Sequence, residues 1–163
     1  MPLRPGGHTI NPYGNMTDKP LQTPVRHSIT LPNDINTIPQ LNDFIDAFSL
    51  EAGLDISMTM SLNLALEEAV VNVMTYAYAP DTQGELTLEA VADQRVLTFI
   101  LTDMGVPFDP TAKEDADTTL GVEERPIGGL GIFLVRQLMD TVDYQRADGR
   151  NILTLTKQLT AEL

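Results

Sequence analysis

The sequence predicts an α+β fold, a two-layer α/β sandwich in which helices cover one face of a mixed, mostly antiparallel sheet of about five strands. The predicted elements follow one another as a strand, two helices, two strands, a helix and a closing hairpin. Two pairs of strands have very short connections, at residues 93–94 and at Asp148-Gly149, and the second is a strong signal for a tight turn. Strands joined in this way pair antiparallel.

The composition divides the chain into two parts. Residues 1–24 carry five of the eleven prolines and three of the eleven glycines, and they lack hydrophobic periodicity. This composition predicts a flexible N-terminal tail. Residues 25–163 have the length and apolar content of one domain with a substantial core.

The first strand and the first helix are predicted from short patterns. Residues 26–31 alternate weakly between polar and apolar, which favours a strand. A helix is predicted over residues 33–52, with Asn33 as its N-cap and Gly53 as its end. Its apolar residues recur at helical spacing.

The second predicted helix starts at a cap, Asp55 or Ser57, and runs to about residue 79. Glu68 and Asn72 are four residues apart, so they project as neighbours from one face of this helix. Burying a carboxylate and a carboxamide among apolar residues costs free energy unless a polar group binds to them. That group is a metal ion, a phosphate or a water.

The second half of the chain is predicted to contain four strands, a helix and a long loop. An acidic stretch at 109–127 is too long for an ordinary connection, which favours a lid. Strands are predicted at 85–92 and 95–102, a helix at 129–140, and the hairpin strands at 142–146 and 151–157.

The composition excludes several classes of protein. The net charge of −13 argues against binding a nucleic-acid backbone, where cationic side chains replace counterions. No apolar run approaches the ~18 residues of a membrane helix. The chain has no cysteine and hence no disulfide framework. These observations lead us to expect a cytoplasmic protein without direct contact to nucleic acid or membrane.

The sequence contains two further motifs besides Glu68 and Asn72. Asp103 and Gly105 follow the strand at 95–102, and Gly128-Gly129-Leu130-Gly131 directly precedes an apolar helix pattern. Glycines at a helix start let backbone N–H groups approach an anion. In isolation, an Asp-x-Gly pair is equally typical of a turn, and the glycines are equally typical of close helix–sheet packing.

Together these residues resemble the ATP-binding domain of the GHKL superfamily, and more closely its anti-sigma-factor serine/threonine kinase branch. The resemblance covers roughly residues 26–158 and implies the GHKL ATPase fold. It rests on three motifs in their expected order: Glu68-x-x-x-Asn72 followed by Ala77-Tyr78, Asp103-x-Gly105-x-x-Phe108-Asp109-Pro110, and Gly129-x-Gly131. Tyr76 is a departure, since close relatives often carry histidine there.

The resemblance implies a role for each motif residue, with ATP and Mg²⁺ as cofactors. Glu68 is expected to act as the general base, and Asn72 to hold Mg²⁺. Asp103 would accept a hydrogen bond from the exocyclic amino group of adenine, and Gly105 would let the ring approach. The backbone of Gly128, Gly129, Leu130 and Gly131 would cradle the phosphates. Asn72 as a hydrogen-bonded core asparagine remains the alternative.

Arg125 is the only arginine of the predicted lid. In related kinases a lid arginine approaches the γ-phosphate, although the spacing between Arg125 and Gly129 differs from the expected one. A solvated loop charge is an equally good interpretation of Arg125 and of Lys113.

By resemblance, the protein is expected to be an ATP-dependent protein serine/threonine kinase and an anti-sigma factor. It would phosphorylate a STAS-type antagonist, sequester a sigma factor and form a homodimer. The alternative is a partner-switching module that binds ATP without productive turnover.

Overall fold

The computed structural model describes residues 23–112 and 129–160. Within these ranges the chain contains two short 3-10 turns, Ile35–Thr37 and Pro110–Ala112. It also forms five strands and three α-helices, namely β1 (Val25–Pro32), α1 (Ile38–Glu51), α2 (Ile56–Tyr76), β2 (Glu85–Asp93), β3 (Val96–Asp103), α3 (Gly129–Leu138), β4 (Thr141–Ala147) and β5 (Arg150–Gln158). The predicted tail lies outside the described residues except for its last two positions.

The five strands form one sheet in the order β1-β2-β3-β5-β4. All four ladders are antiparallel, so the predicted sandwich is confirmed with a sheet that contains no parallel pair among the described strands. Asp148 and Gly149 both have positive φ, which is the geometry of the type I′ turn expected there. The β2–β3 turn falls on Gln94 and Arg95, one residue later than predicted, because Asp93 still pairs with residue 96.

The core lies between one face of the sheet and the helices. Buried positions alternate with less buried ones along β2, β3 and β5, as expected when one face of a sheet is covered. The rings of Phe48 in α1 and Phe99 in β3 meet edge to face with centroids 5.7 Å apart, and both side chains are fully buried. Burial of each such side chain contributes about 1.5–3 kcal/mol.

The start of α1 differs from the prediction. Asp34, not Asn33, caps the 3-10 turn that leads into α1, and it accepts a 2.9 Å hydrogen bond from the Asn36 N–H. The Asn33 amide instead donates to the Thr82 carbonyl at 2.7 Å and accepts from the Gly84 N–H at 2.8 Å. The prediction was wrong because Asn33 follows an edge strand whose neighbour, β2, brings a second loop within reach.

The other helix ends follow local chemistry. Gly53 has a φ of +72° and ends α1, as predicted. Of the two candidate caps of α2, Asp55 is the one used, and it accepts a 2.7 Å hydrogen bond from the Met58 N–H. The helix ends at Tyr76, three residues earlier than expected. The next carbonyl, that of Ala77, accepts instead from the Val106 N–H at 2.9 Å and so ties α2 to the loop after β3.

Candidate active site

Three of the predicted site residues meet where α3 packs against α2. A Cβ placed on Gly131 would lie 2.9 Å from Oε2 of Glu68 and 3.1 Å from Nδ2 of Asn72. The backbone at Gly131 therefore faces both polar side chains at a distance that no other residue type allows without movement. The structure thus brings the first and the third motif together, although they are about 60 residues apart in the sequence.

Asn72 is a buried amide, with 8% of its surface exposed. Among the described residues its side chain has no hydrogen-bond partner. The role of Asn72 as a metal ligand and its alternative as a core asparagine both stay predictions. A neutral amide that faces the start of α3 is suited to a polar ligand. Glu68, one turn earlier, is half-buried.

Asp103 ends β3 and is 3% exposed. Its Oδ1 accepts two 2.9 Å hydrogen bonds, from the Gly105 N–H and from Nδ2 of Asn151. Within the described ranges no donor reaches Oδ2. The carboxylate is thus held in a fixed orientation with one oxygen left for a ligand.

Gly105 packs against backbone. A Cβ at this position would lie 2.2 Å from the carbonyl oxygen of Ala77, so no side chain fits there. The close approach that explains this glycine is thus made by the end of α2. The approach of an adenine ring to Gly105 stays a prediction.

Asn151 is a functional candidate that the sequence analysis missed. It is 4% exposed, and Nδ2 also donates to the Val106 carbonyl at 2.8 Å. Its Oδ1 accepts from the Phe108 N–H, the Tyr144 hydroxyl and Nη1 of Arg146. Nη1 of Arg146 also donates to the Gly105 carbonyl at 2.9 Å. We call these groups the Asn151 network. Only the order of the strands, which places Asn151 opposite Asp103, reveals it.

Tyr78 contacts the loop after β3 through its hydroxyl group. Its hydroxyl donates to the Glu85 carbonyl at 2.7 Å and accepts from the Met104 N–H at 3.1 Å. Burial raises the pKa of the Tyr78 phenol above its usual value of 10.0. The ring also occupies the space in which a side chain at Gly84 would stand.

Tyr76 packs at the edge of this region. Its ring lies 5.5 Å from that of Phe108 between centroids, with an interplanar angle of 31°. The tyrosine that replaces the expected histidine is therefore accommodated by aromatic packing.

A surface cavity of about 690 Å³ adjoins the loop after β3. Its described lining includes Tyr78, Met104, Gly105 and Arg146, but not Glu68, Asn72, Asp103 or Gly131. The cavity therefore adjoins the second motif at Gly105 but is distinct from the place where Glu68, Asn72 and Gly131 face one another.

The remaining predicted site residues are placed only in part. Gly129 and Leu130 form the first turn of α3, as the glycine pattern predicted. Arg125 and Gly128 lie outside the described residues, and so does Lys113. The part of the chain that is described contains no cluster of three acidic, histidine or cysteine side chains that could hold a metal ion. In the same part, no helix has the length and apolarity needed to cross a bilayer.

Among the described residues, three helices cover one face of an antiparallel sheet, and polar side chains of α2 face Gly131 near the start of α3. This arrangement is typical of an ATPase-type nucleotide-binding domain. The family model of the histidine kinase-like ATPase domain matches residues 31–157, and the chain belongs to this family.

Protein kinases are among the proteins similar to this chain. The chain is 30% identical over 105 residues to the serine/threonine-protein kinase BtrW of Bordetella bronchiseptica, covering 64% of this chain and 74% of BtrW. It is 29% identical over 119 residues to the serine-protein kinase RsbW of Listeria monocytogenes, covering 71% and 75%. The predicted family branch and the predicted enzyme class, a protein serine/threonine kinase, are confirmed.

The fold has a solved counterpart. The crystal structure of the RsbU and RsbW domains of a Mycobacterium tuberculosis protein aligns with a TM-score of 0.60 and 19% identity. The alignment covers 84% of this chain and 33% of that longer chain. At this identity the likeness concerns the fold alone.

Proposed function

We propose that this protein transfers the γ-phosphate of ATP to a serine or threonine of a STAS-type antagonist, and that it sequesters a sigma factor until the antagonist claims it. The observation that carries this proposal is the meeting of Glu68 and Asn72 with the backbone of Gly131. Kinases of the RsbW and BtrW type among the relatives support it.

Glu68 accepts the proton of the attacking hydroxyl in this proposal. Its carboxylate is half-buried and lies beside the start of α3, where the γ-phosphate would be held. A base must be within hydrogen-bond reach of the proton it takes, so the proposal requires the bound hydroxyl to lie between Glu68 and the phosphate.

The phosphates would be held by the backbone N–H groups of Gly128, Gly129, Leu130 and Gly131. Asn72 Oδ1 fits a hard cation because it is a neutral carboxamide oxygen on a helix face turned toward Gly131. Mg²⁺ bound there would neutralise phosphate charge, which matters in a chain of net charge −13. The cation's anionic ligands would then be phosphate oxygens.

Asp103 would recognise adenine through Oδ2, the oxygen that the described donors leave open. The Asn151 network keeps Oδ1 occupied and so fixes which oxygen is presented. The proposed contact of Arg125 with the γ-phosphate, homodimerisation and cytoplasmic residence remain predictions.

Glu68→Gln tests the proposal, and the adjacent half-buried Glu67→Gln is its matched control. The full chain is incubated with γ-labelled ATP, Mg²⁺ and the STAS-domain proteins of its own genome. We expect label on a serine or threonine of one of these proteins. Glu68→Gln should lower the transfer rate by at least about 100-fold with similar ATP affinity, since a general base contributes about 10²–10⁴. Glu67→Gln should leave both unchanged.

Two results would contradict the proposal. Equal loss of transfer and of ATP binding in Glu68→Gln would remove its role as base. Tight ATP binding by the unaltered chain without label on any STAS protein would favour the binding-module alternative.

A further inference from the structure

The helical layer has an unusual charge distribution. Between Arg26 and Arg95 there is no lysine or arginine, whereas the intervening residues contain eleven aspartates and glutamates. This segment includes all of α1, α2 and β2. A macromolecule that docks on α1 and α2 therefore meets carboxylates as the only fully charged side chains of these two helices at neutral pH.

The same layer exposes large apolar side chains. Ile56, Met60 and Leu64 of α2 are 79%, 66% and 47% exposed, and Leu50 at the end of α1 is 84% exposed. The three α2 residues are four positions apart, so they form one ridge along the helix. Single exposed apolar residues are common, but an aligned row of them marks an interaction surface. We call Ile56, Met60 and Leu64 the α2 ridge.

The α2 ridge leads to the proposed base. Glu68 is four residues beyond Leu64 on the same helix. At this spacing the Cβ atoms of two helical residues are roughly 6 Å apart, so the two side chains are neighbours. With a rise of 1.5 Å per residue, the ridge begins roughly 18 Å from Glu68. A protein bound along the ridge would therefore be in position to place a hydroxyl near Glu68.

The flanks of the ridge are acidic. Asp46 of α1 accepts a 2.9 Å hydrogen bond from Nδ2 of Asn63, which places this exposed carboxylate beside the ridge. Asp55 is exposed at the end of the ridge where α1 leads into α2, whereas the carboxylate of Glu51 is paired with Nε2 of His27 in β1. A complementary surface has apolar side chains at its centre and lysine or arginine at its rim.

We propose that the α2 ridge is the docking surface for the protein that accepts the phosphate, and that this protein binds through an apolar surface with a cationic rim. The proposal rests on the proposed kinase function and adds where the substrate binds. A second copy of this chain fits less well because it would bring like charges together. Residues 1–22 also fit less well, since they contain only Arg4 and Lys19 as fixed cations.

Met60→Gln tests the docking surface, with Ile35→Gln as a matched control. Ile35 is also largely exposed, at 60%, but it lies before α1 and outside the ridge. The substrate is the STAS-domain protein labelled by the unaltered chain. Met60→Gln should raise the KM for this protein about tenfold, with kcat and the KM for ATP unchanged. Ile35→Gln should change none of them. Raising the salt from about 50 to about 300 mM should raise the protein KM of the unaltered chain.

The absence of cysteine from the chain permits a direct second test. Met60→Cys and Ile35→Cys are each labelled with a benzophenone maleimide and irradiated with the STAS-domain protein. Crosslinking to that protein from position 60 and not from position 35 supports the proposal. Crosslinking from position 60 to a second copy, or to residues 1–22 of the same chain, overturns it.

The two proposals fail in different ways. If Met60→Gln and Ile35→Gln phosphorylate the STAS-domain protein with the KM of the unaltered chain, the docking proposal alone is overturned. If the unaltered chain labels no STAS-domain protein, the proposed function is overturned and the docking proposal falls with it.

Discussion

Nδ2 of Asn151 donates a 2.9 Å hydrogen bond to Oδ1 of Asp103, its cross-strand partner on the ladder between β3 and β5. The same oxygen accepts from the Gly105 N–H, so two donors orient the carboxylate. The other polar atom of the Asn151 amide, Oδ1, is held by three donors. Asn151 therefore acts on the proposed adenine site through Asp103 and is a positioning residue.

We expect Asn151→Ala to weaken ATP binding about 10- to 100-fold, because loss of a buried partner of a charged group costs about 1.5–3 kcal/mol. The kcat at saturating ATP should change little, since Glu68 and Asn72 belong to another part of the site. Calorimetric titration with a non-hydrolysable ATP analogue measures the first effect. The exposed Asn36→Ala is the control, and equal affinities for the two variants would contradict the role of Asn151.

The contrast between Asn151 and the motif residues explains what the sequence could predict. Glu68 and Asn72 were recognisable because two residues on one helix face obey a local spacing rule. The turn at Asp148-Gly149 could be predicted because it depends on two adjacent residues. Asn151 became significant only when β5 was placed beside β3, and strand order is decided by packing of the whole sheet.

Local ambiguity accounts for the wrong cap. Asn33 and Asp34 are both good N-cap residues, and adjacent candidates cannot be ranked by propensity alone. The structure uses Asp34 because Asn33 bonds to Thr82 and Gly84, which are about 50 residues away. The end of α2 could not be predicted from local propensity either, because the helix ends where the Ala77 carbonyl accepts a hydrogen bond from the distant Val106 N–H.

Gly105→Ala should prevent formation of the site. The added Cβ would stand 2.2 Å from the Ala77 carbonyl oxygen, a backbone atom that cannot move without disturbing α2. Overpacking of this kind costs about 1–3 kcal/mol or more. We expect a lower free energy of unfolding in urea and loss of measurable ATP binding.

Gly53→Ala is the control for Gly105→Ala. Its Cβ would meet nothing within 4 Å, and its cost arises only from the positive φ, about 1–2 kcal/mol. ATP binding should survive in this variant. Retention of ATP affinity by Gly105→Ala would show that the contact with Ala77 is not needed.

Gly131→Ala should separate stability from activity. Alanine stabilises a helix by about 0.5–1 kcal/mol relative to glycine. The atoms it would crowd are the ends of two side chains, Oε2 of Glu68 at 2.9 Å and Nδ2 of Asn72 at 3.1 Å. We therefore expect an unchanged or higher free energy of unfolding. Displacement of the base by even about 1 Å should lower phosphotransfer about 100-fold.

Gly149→Ala should behave in the opposite way. It lies in the hairpin turn with a φ of +75° and open space around its Cβ position, so it should lose stability and keep phosphotransfer. Denaturant titration and label transfer on both variants provide the comparison. Full phosphotransfer activity in Gly131→Ala would show that Gly131 does not contribute to the site.

Tyr78 gives the protein a pH dependence in the alkaline range. Burial raises its pKa above 10.0, so the folded state retains the phenol proton more strongly than the unfolded chain does. The contribution of Tyr78 to stability is thus fully present below pH 10 and is lost as the pH rises through the folded-state pKa.

Tyr78→Phe keeps the ring against Gly84 but loses the hydroxyl bonds to Glu85 and Met104. The difference in free energy of unfolding between the unaltered chain and Tyr78→Phe should be constant from pH 7 to 9 and should shrink above pH 10, as measured by urea denaturation. A difference that grows with pH would contradict the direction of the shift.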